Sequence, residues 1–90
     1  MAKRDKIRGQ EVTTNNTYQE LIDDGNVKTA FFLRNLAIHN MGGDTIHVII
    51  NGGDEISIKG NEVLTCGDIK VYSLVVVESA SNIRYMGIEG

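Results

Sequence analysis

A chain of 90 residues has room for a single domain, since a domain needs on the order of 100 residues to close one hydrophobic core. Hydrophobic residues make up 41% of it, which argues against a disordered chain, and one cysteine, Cys66, excludes an internal disulfide framework. The net charge of −3 is unevenly spread: residues 1–10 hold four basic residues and one acidic residue, a net of +3, so the other 80 residues carry −6.

The basic residues at the start of the chain are Lys3, Arg4, Lys6 and Arg8. A basic segment ahead of an acidic body can bind nucleic acid or the acidic surface of a neighbouring subunit, or it can be a solvated terminus. The polar residues that follow offer almost nothing to bury until Leu21 and Ile22. We therefore interpret residues 1–28 as an extended N-terminal arm, and the charges alone leave all three roles of its basic residues open.

A short helix is expected within this arm. Thr17 and Glu20 have the spacing of a capping box, and Gly25 can end a helix. These signals predict one to two turns over residues 18–24. Isolated helices of that length are marginal in water, so this one needs a surface to pack against.

From Thr29 onward, apolar residues recur at every second position, which is the period of a β-strand. The alternation covers short segments within residues 36–39, 45–50, 55–59, 68–71 and 83–85. Glycine-containing turns separate them, and we expect residues 40–44 and 51–54, which both end in Gly-Gly-Asp, to be hairpin turns. Five or six such strands predict an all-β fold for residues 29–90: a small antiparallel β-sandwich or barrel, jelly-roll-like in type.

One segment, Leu74, Val75, Val76 and Val77, is apolar at every position. A strand with one face in water should alternate, so the outward side chains of this strand need another cover. Either the N-terminal segment folds over them or a second chain does. We favour self-association and predict that these four residues form the interface of a homo-oligomer.

Residues able to carry chemistry are few. His39 and His47 lie on the less apolar sides of predicted strands and could approach each other across a hairpin, but a metal site would need further ligands such as Asp44 or Cys66. We expect both histidines to face solvent and Cys66 to be a small buried residue. The sequence predicts no catalytic, cofactor-binding or metal site, and we expect a protein that is not an enzyme.

The cellular location and partners expected for the chain follow from its hydropathy and its charges. No secretory signal precedes the body, and the longest apolar run is four residues, so we expect synthesis in the cytoplasm and no contact with a membrane. The predicted sandwich is acidic and poor in aromatic residues, so its surface is unsuited to binding the phosphates and bases of a nucleic acid. Direct nucleic-acid binding is therefore not expected, and the first ten residues alone could supply it.

The stretch from Leu33 to Asn40, with Val48 to Glu62, Asp68 to Val71 and Ile83 to Glu89, resembles small β-sandwich structural proteins of tailed bacteriophages. The resemblance covers about residues 31–90 and lies in the rhythm of the segments. It implies a virion component, foremost a capsid decoration (cementing) protein that binds the capsid shell through its arm. In that case Lys3, Arg4, Lys6 and Arg8 make the assembly contact. A tail or baseplate component is the alternative. The partners implied are further copies of the chain and the major capsid protein or tail proteins.

A different class of protein is also compatible with the residues. A small β module of this kind could bind a carbohydrate or a peptide. Its exposed aromatic residues are too sparse to favour stacking against sugar rings, and a glycan or peptide binding screen would decide.

Overall fold

In the computed structural model, residues 6–22 and 32–89 are described. They form eight β-strands and contain no helix. The strands are β1 (Lys6–Thr13), β2 (Gln19–Ile22), β3 (Leu33–Asn40), β4 (Ile46–Ile50), β5 (Glu55–Ile58), β6 (Val63–Thr65), β7 (Leu74–Val76) and β8 (Asn82–Glu89).

Two four-stranded sheets make up the molecule. Sheet A has the order β1-β8-β3-β6, sheet B has the order β2-β7-β4-β5, and all neighbouring strands are antiparallel. First and last strands therefore pair, as do second and seventh, third and sixth, and fourth and fifth. This is the strand order of a jelly roll, in which the chain crosses between sheets at almost every connection. The predicted all-β sandwich of jelly-roll type is confirmed.

The core lies between the sheets and is built by the inward side chains of both. Leu36, Ile38, Val48 and Ile83 are completely buried there. Each buried aliphatic side chain contributes about 1.5–3 kcal/mol of transfer free energy. The complete set of buried hydrophobic residues is Ile22, Leu33, Leu36, Ile38, Ile46, Val48, Ile58, Val71, Leu74, Val76, Ile83 and Tyr85.

A β-bulge in β3 brings two leucines to the same side of sheet A. Arg34 lies opposite Ile88 and Ala37 lies opposite Met86, so two residues of β3 face the single Gly87 of β8. Asn35 takes up the extra residue with a φ of 52°. Leu33 and Leu36, three positions apart, can therefore both enter the core, which strict alternation would forbid.

The two Gly-Gly-Asp turns differ in the structure. Residues 51–54 close the β4–β5 hairpin as predicted: Asn51 and Gly52 have φ values of 54° and 71°, and Gly53 donates a hydrogen bond to the Ile50 carbonyl. Positive φ at both central residues is the type I′ turn. Residues 40–44 instead lead from sheet A to sheet B, so the hairpin predicted there is wrong.

The predicted arm is largely part of the sandwich. β1 pairs along its whole length with β8, and β2 pairs with β7, so residues 6–22 supply an edge strand to each sheet. The helix predicted over residues 18–24 is wrong where the structure describes it, because residues 19–22 form β2 and bury Ile22 against the core. Residues 1–5 and 23–28 lie outside the described residues.

Candidate interaction surfaces

The outer side of sheet A, here called face A, has an apolar centre. Met86 of β8, with 42% of its surface exposed, stands between Gly9 of β1 and Ala37 of β3. In the next row, Ile7 is 72% exposed and lies opposite Ile88. An antiparallel sheet with one wet side normally carries polar residues there. The apolar centre of face A is therefore the kind of surface that marks a contact site.

The small residues beside Met86 shape this surface. A Cβ atom at Gly9 would lie 3.4 Å from the Met86 Cβ and 2.9 Å from the Tyr85 carbonyl oxygen, so the position has no room for a side chain. Two shallow depressions, of about 210 Å³ and 220 Å³, both reach Ala37 and Met86. The Met86 side chain thus protrudes between two shallow depressions and is accessible to another molecule.

Charged residues border the apolar centre of face A. Arg34 lies opposite Ile88, and Arg84 lies one row beyond Met86, opposite His39 and Glu11. Within the paired strands of this face, two arginines stand against one glutamate. The described outward residues of face A are therefore net positive.

The outer side of sheet B, here called face B, has a single row that crosses all four strands. Its members in order are Glu20, Val75, Ile49 and Glu55. Val75 and Ile49 are half-buried, whereas both glutamates are exposed. Face B therefore also has an apolar centre, bordered by carboxylates.

The predicted oligomer interface divides between the core and face B. Leu74 and Val76 are 0% exposed because β2 and β4 flank β7 and the opposite sheet covers their side chains. They have no surface to offer a second chain, so the prediction is wrong for these two residues. Val75 and Val77 are half-buried; Val75 lies on face B, and the Val77 backbone N–H donates to the His47 carbonyl.

The four basic residues of the predicted assembly contact lie in different places. Lys3 and Arg4 lie outside the described residues, and Lys6 is the first residue of β1. The Arg8 Nε donates a hydrogen bond of 2.6 Å to Glu89 Oε2 on the neighbouring strand β8. Arg8 therefore has an ionic partner within its own chain.

His39 and His47 do not face each other across a hairpin, because β3 and β4 belong to different sheets. His47 is instead held by Glu78, just beyond β7. The His47 backbone N–H donates to Glu78 Oε1 at 2.7 Å, and His47 Nδ1 lies 2.6 Å from Glu78 Oε2. Partial burial raises the pKa of the Glu78 carboxyl, but its hydrogen bonds with the side chain and backbone of His47 outweigh this and hold the pKa below its usual value. This pair fastens β4 to the segment that leads into β8.

Cys66 is half-buried against the core, and burial raises the pKa of its thiol. A raised pKa leaves little thiolate at neutral pH, which is the form that attacks electrophiles and binds metals. Among residues 6–22 and 32–89, no three His, Cys, Asp or Glu side chains come together in a group that could hold a metal ion.

The centre of face A was missed by sequence reasoning, although a signal exists. Residues 83–88 begin by alternating, but Met86 and Ile88 are apolar where outward residues should be polar. The same two-sided criterion that singled out residues 74–77 therefore applies to the end of β8. Ile7 was not recognised as part of this surface because the polar residues around it were interpreted as an arm.

Comparisons of the chain with protein-family models, with curated proteins and with solved structures found no match. Within the part of the chain that the structure describes, no helix has the length and apolarity required to cross a membrane.

Proposed function

We propose that this chain is a structural subunit of a virion, foremost a capsid decoration (cementing) protein that binds the shell through its N-terminal residues and works among further copies of itself. The observation that supports this role is the pair of apolar outer faces. Both sheets of one small sandwich present apolar centres away from the core, through Met86 and Ile7 on face A and through Val75 and Ile49 on face B.

A sandwich that works alone has no use for two such faces. Exposed apolar side chains favour aggregation unless another surface covers them. A subunit of a repeating assembly, in contrast, has neighbours on more than one side. The resemblance of residues 31–90 to small β-sandwich proteins of tailed phages supports a virion as that assembly.

Attachment to the shell is assigned to the residues that lead into β1. Lys6 begins β1 opposite Glu89 near the end of β8, and Lys3 and Arg4 precede it in sequence. Arg8 has its own partner in Glu89. The other basic residues of the predicted contact, Lys3, Arg4 and Lys6, suit an acidic surface on a capsid subunit.

A tail or baseplate component is the second candidate. Stacked rings in a tail also cover two opposite faces of each subunit, so the same two faces support it. Sugar binding has less support. Tyr72 is 40% exposed beside Phe32, but the nearby Asn51 side chain already makes three hydrogen bonds, with the backbone of Lys70, Tyr72 and Ser73.

Mass spectrometry of particles purified from the source that encodes the chain tests the role. We expect the chain at a fixed ratio to the major capsid protein, or to a tail protein in the alternative. Its absence from capsids and tails alike would contradict the proposal.

The attachment residues are tested by adding purified protein to particles that lack it. Changing Lys3→Glu and Arg4→Glu together should weaken binding about tenfold, because two attractive charges become repulsive. Changing Asp68→Lys, in an exposed loop between β6 and β7, is the control and should leave binding unchanged. Equal binding by the first variant and the unmodified chain would remove the basic segment from the attachment.

A further inference from the structure

We infer that copies of this chain associate head to tail, with face A of one copy packed on face B of the next. The inference deepens the proposed function and rests on it, since it names the contact by which the copies on a virion meet. Its partner is a second copy of the same chain, and its surfaces are the two apolar centres with their opposite charges.

The charges of the two faces are complementary. Face A carries Arg34 and Arg84 around Met86, against one glutamate, Glu11. Face B carries Glu20 and Glu55 at the two ends of the row that holds Val75 and Ile49. When one face covers the other, apolar side chains meet at the centre and opposite charges meet at the rim, as in specific protein interfaces.

The alternatives that use one face twice are less favourable. Packing face B on a second face B brings the carboxylates of Glu20 and Glu55 near their own copies, and packing face A on a second face A brings together two net positive surfaces. Like charges brought close together are repulsive. Only the head-to-tail arrangement joins surfaces of opposite sign.

The contact between the two faces is small. Three strands of sheet A have eight residues, but the strands of sheet B have three to five. Four strands about 4.8 Å apart therefore share roughly 15 by 15 Å between the two faces, which is less than a specific interface between stable partners buries. Association between free copies is therefore weak and requires high protein concentration. Within an assembly the same contact is repeated, and repetition raises its effective strength by multivalency.

Head-to-tail contacts also determine what the copies build. A heterologous contact leaves an unused face A at one end of a pair and an unused face B at the other. Further copies then add until the rotation closes a ring or an open string forms. Both products suit a repeating shell or tail.

Charge reversal tests the arrangement in purified full-length protein. Sedimentation velocity over a concentration series is measured for the unmodified chain, for Arg84→Glu, for Glu55→Lys and for the double variant. Each single reversal should weaken association about tenfold by placing like charges across the contact. The double variant exchanges the two signs and should regain association, and an equimolar mixture of the two single variants should associate better than either alone.

Control reversals lie in the loop between β6 and β7, away from both faces. Lys70→Glu matches the Arg84 variant and Asp68→Lys matches the Glu55 variant, and both should associate as the unmodified chain does. Thermal unfolding shows whether each variant is folded. Should Arg84→Glu not fold, Met86→Thr takes its place, because it removes the protruding apolar side chain of face A while keeping a residue suited to strands.

Each outcome decides the inference. Weakening by the single variants with recovery in the double variant supports it. Weakening by the Arg84 variant alone would indicate a contact of face A with itself, and an unmodified chain that stays monomeric at the highest concentration would also overturn it. If the chain is found in particles but is monomeric in solution, this contact is refuted and the virion role is not. If the chain associates in solution but occurs in no particle, the virion role alone is refuted.

Discussion

At the scale of single residues, two side chains hold the loops at one end of the sandwich. Asn40 is 1% exposed; its Nδ2 donates to the carbonyls of Ile58 and Asp44 at 3.0 Å and 2.7 Å, and its Oδ1 accepts from the Gly42 N–H. Thr14 is equally buried; its Oγ1 donates to the Glu78 carbonyl and accepts from the Ser81 N–H. Both residues satisfy backbone groups where the chain passes between sheets, which buried groups require.

Replacing Asn40 with alanine should lower the free energy of unfolding by about 2–4 kcal/mol, because it removes three hydrogen bonds between a buried side chain and the backbone. Urea denaturation measures the change. Asn82→Ala, at an exposed position of β8, is the matched control and should change stability by less than about 0.5 kcal/mol. Equal stability of both variants would contradict the role given to Asn40.

The pair of Glu78 and His47 predicts a dependence of stability on pH. Because the pKa of Glu78 is lowered in the folded state, its contribution is complete above the carboxyl's ordinary pKa and is lost as the pH falls through the lowered value. Urea denaturation between about pH 3 and 7 should show a smaller loss of stability toward acid for Glu78→Gln than for the unmodified chain. The glutamine keeps an acceptor for the His47 backbone N–H, so identical pH profiles would show that the carboxylate charge does not matter.

At the scale of elements, the bulge of β3 depends on the absence of a side chain opposite it. A Cβ atom at Gly87 would lie 3.0 Å from the Leu33 Cβ and 3.4 Å from the Leu36 Cδ1. Gly87→Ala should therefore destabilise the fold by about 1–3 kcal/mol through overpacking. Gly43→Ala is the control, since no atom lies within 4 Å of a Cβ there. A Gly87 variant as stable as the Gly43 variant would show that the bulge tolerates a side chain.

The two sides of strand β7 have different roles: the inner side chains stabilise the fold, and the outer side chain is part of the proposed contact surface. Leu74→Ala should lower the free energy of unfolding by about 2–5 kcal/mol, because the side chain is completely buried. Val75→Thr, on face B, should cost less than about 1 kcal/mol and act instead on self-association. Denaturation together with sedimentation separates the two effects. The interpretation of β7 fails if Val75→Thr proves the more destabilising change.

The strands that could be predicted from the sequence are those with one side in the core and one side in solvent. Strands β3, β4 and β5 show alternating apolar and polar residues. Asn51-Gly52 predicts a turn because both residue types tolerate the positive φ that the turn requires. Strands β1 and β2 escaped prediction because an edge strand at the margin of the sandwich buries little: every residue from Ile7 to Glu11 is exposed. Residues 40–44 have the composition of a hairpin but connect the two sheets, and the buried Asn40 side chain donates hydrogen bonds to the Asp44 and Ile58 carbonyls there.

The candidate surfaces were only partly accessible from sequence. An apolar run on both sides of a strand was recognised at residues 74–77, yet its core members and its outer members could not be told apart without the pairing of β7. The complementary charges depend on register, since Glu20 and Glu55 are far apart in sequence and meet in one row only through β7 and β4.

At the scale of the whole molecule, the jelly-roll order gives an elongated body with two opposite outer faces. Its extents are 45 × 23 × 21 Å, and every described strand lies in one sheet or the other. Each sheet has one side in the shared core and one outer side. The proposed role uses both outer sides as contact surfaces, while the inner sides form the core.

The most direct measurement is a methyl NMR dilution series of the unmodified protein. We predict that the signals of Met86 on face A and Val75 on face B shift together as concentration rises, while those of Leu74 and Val76 in the core stay constant. Shifts confined to other surfaces, or none at any concentration, would contradict the claim that the two outer faces are contact surfaces.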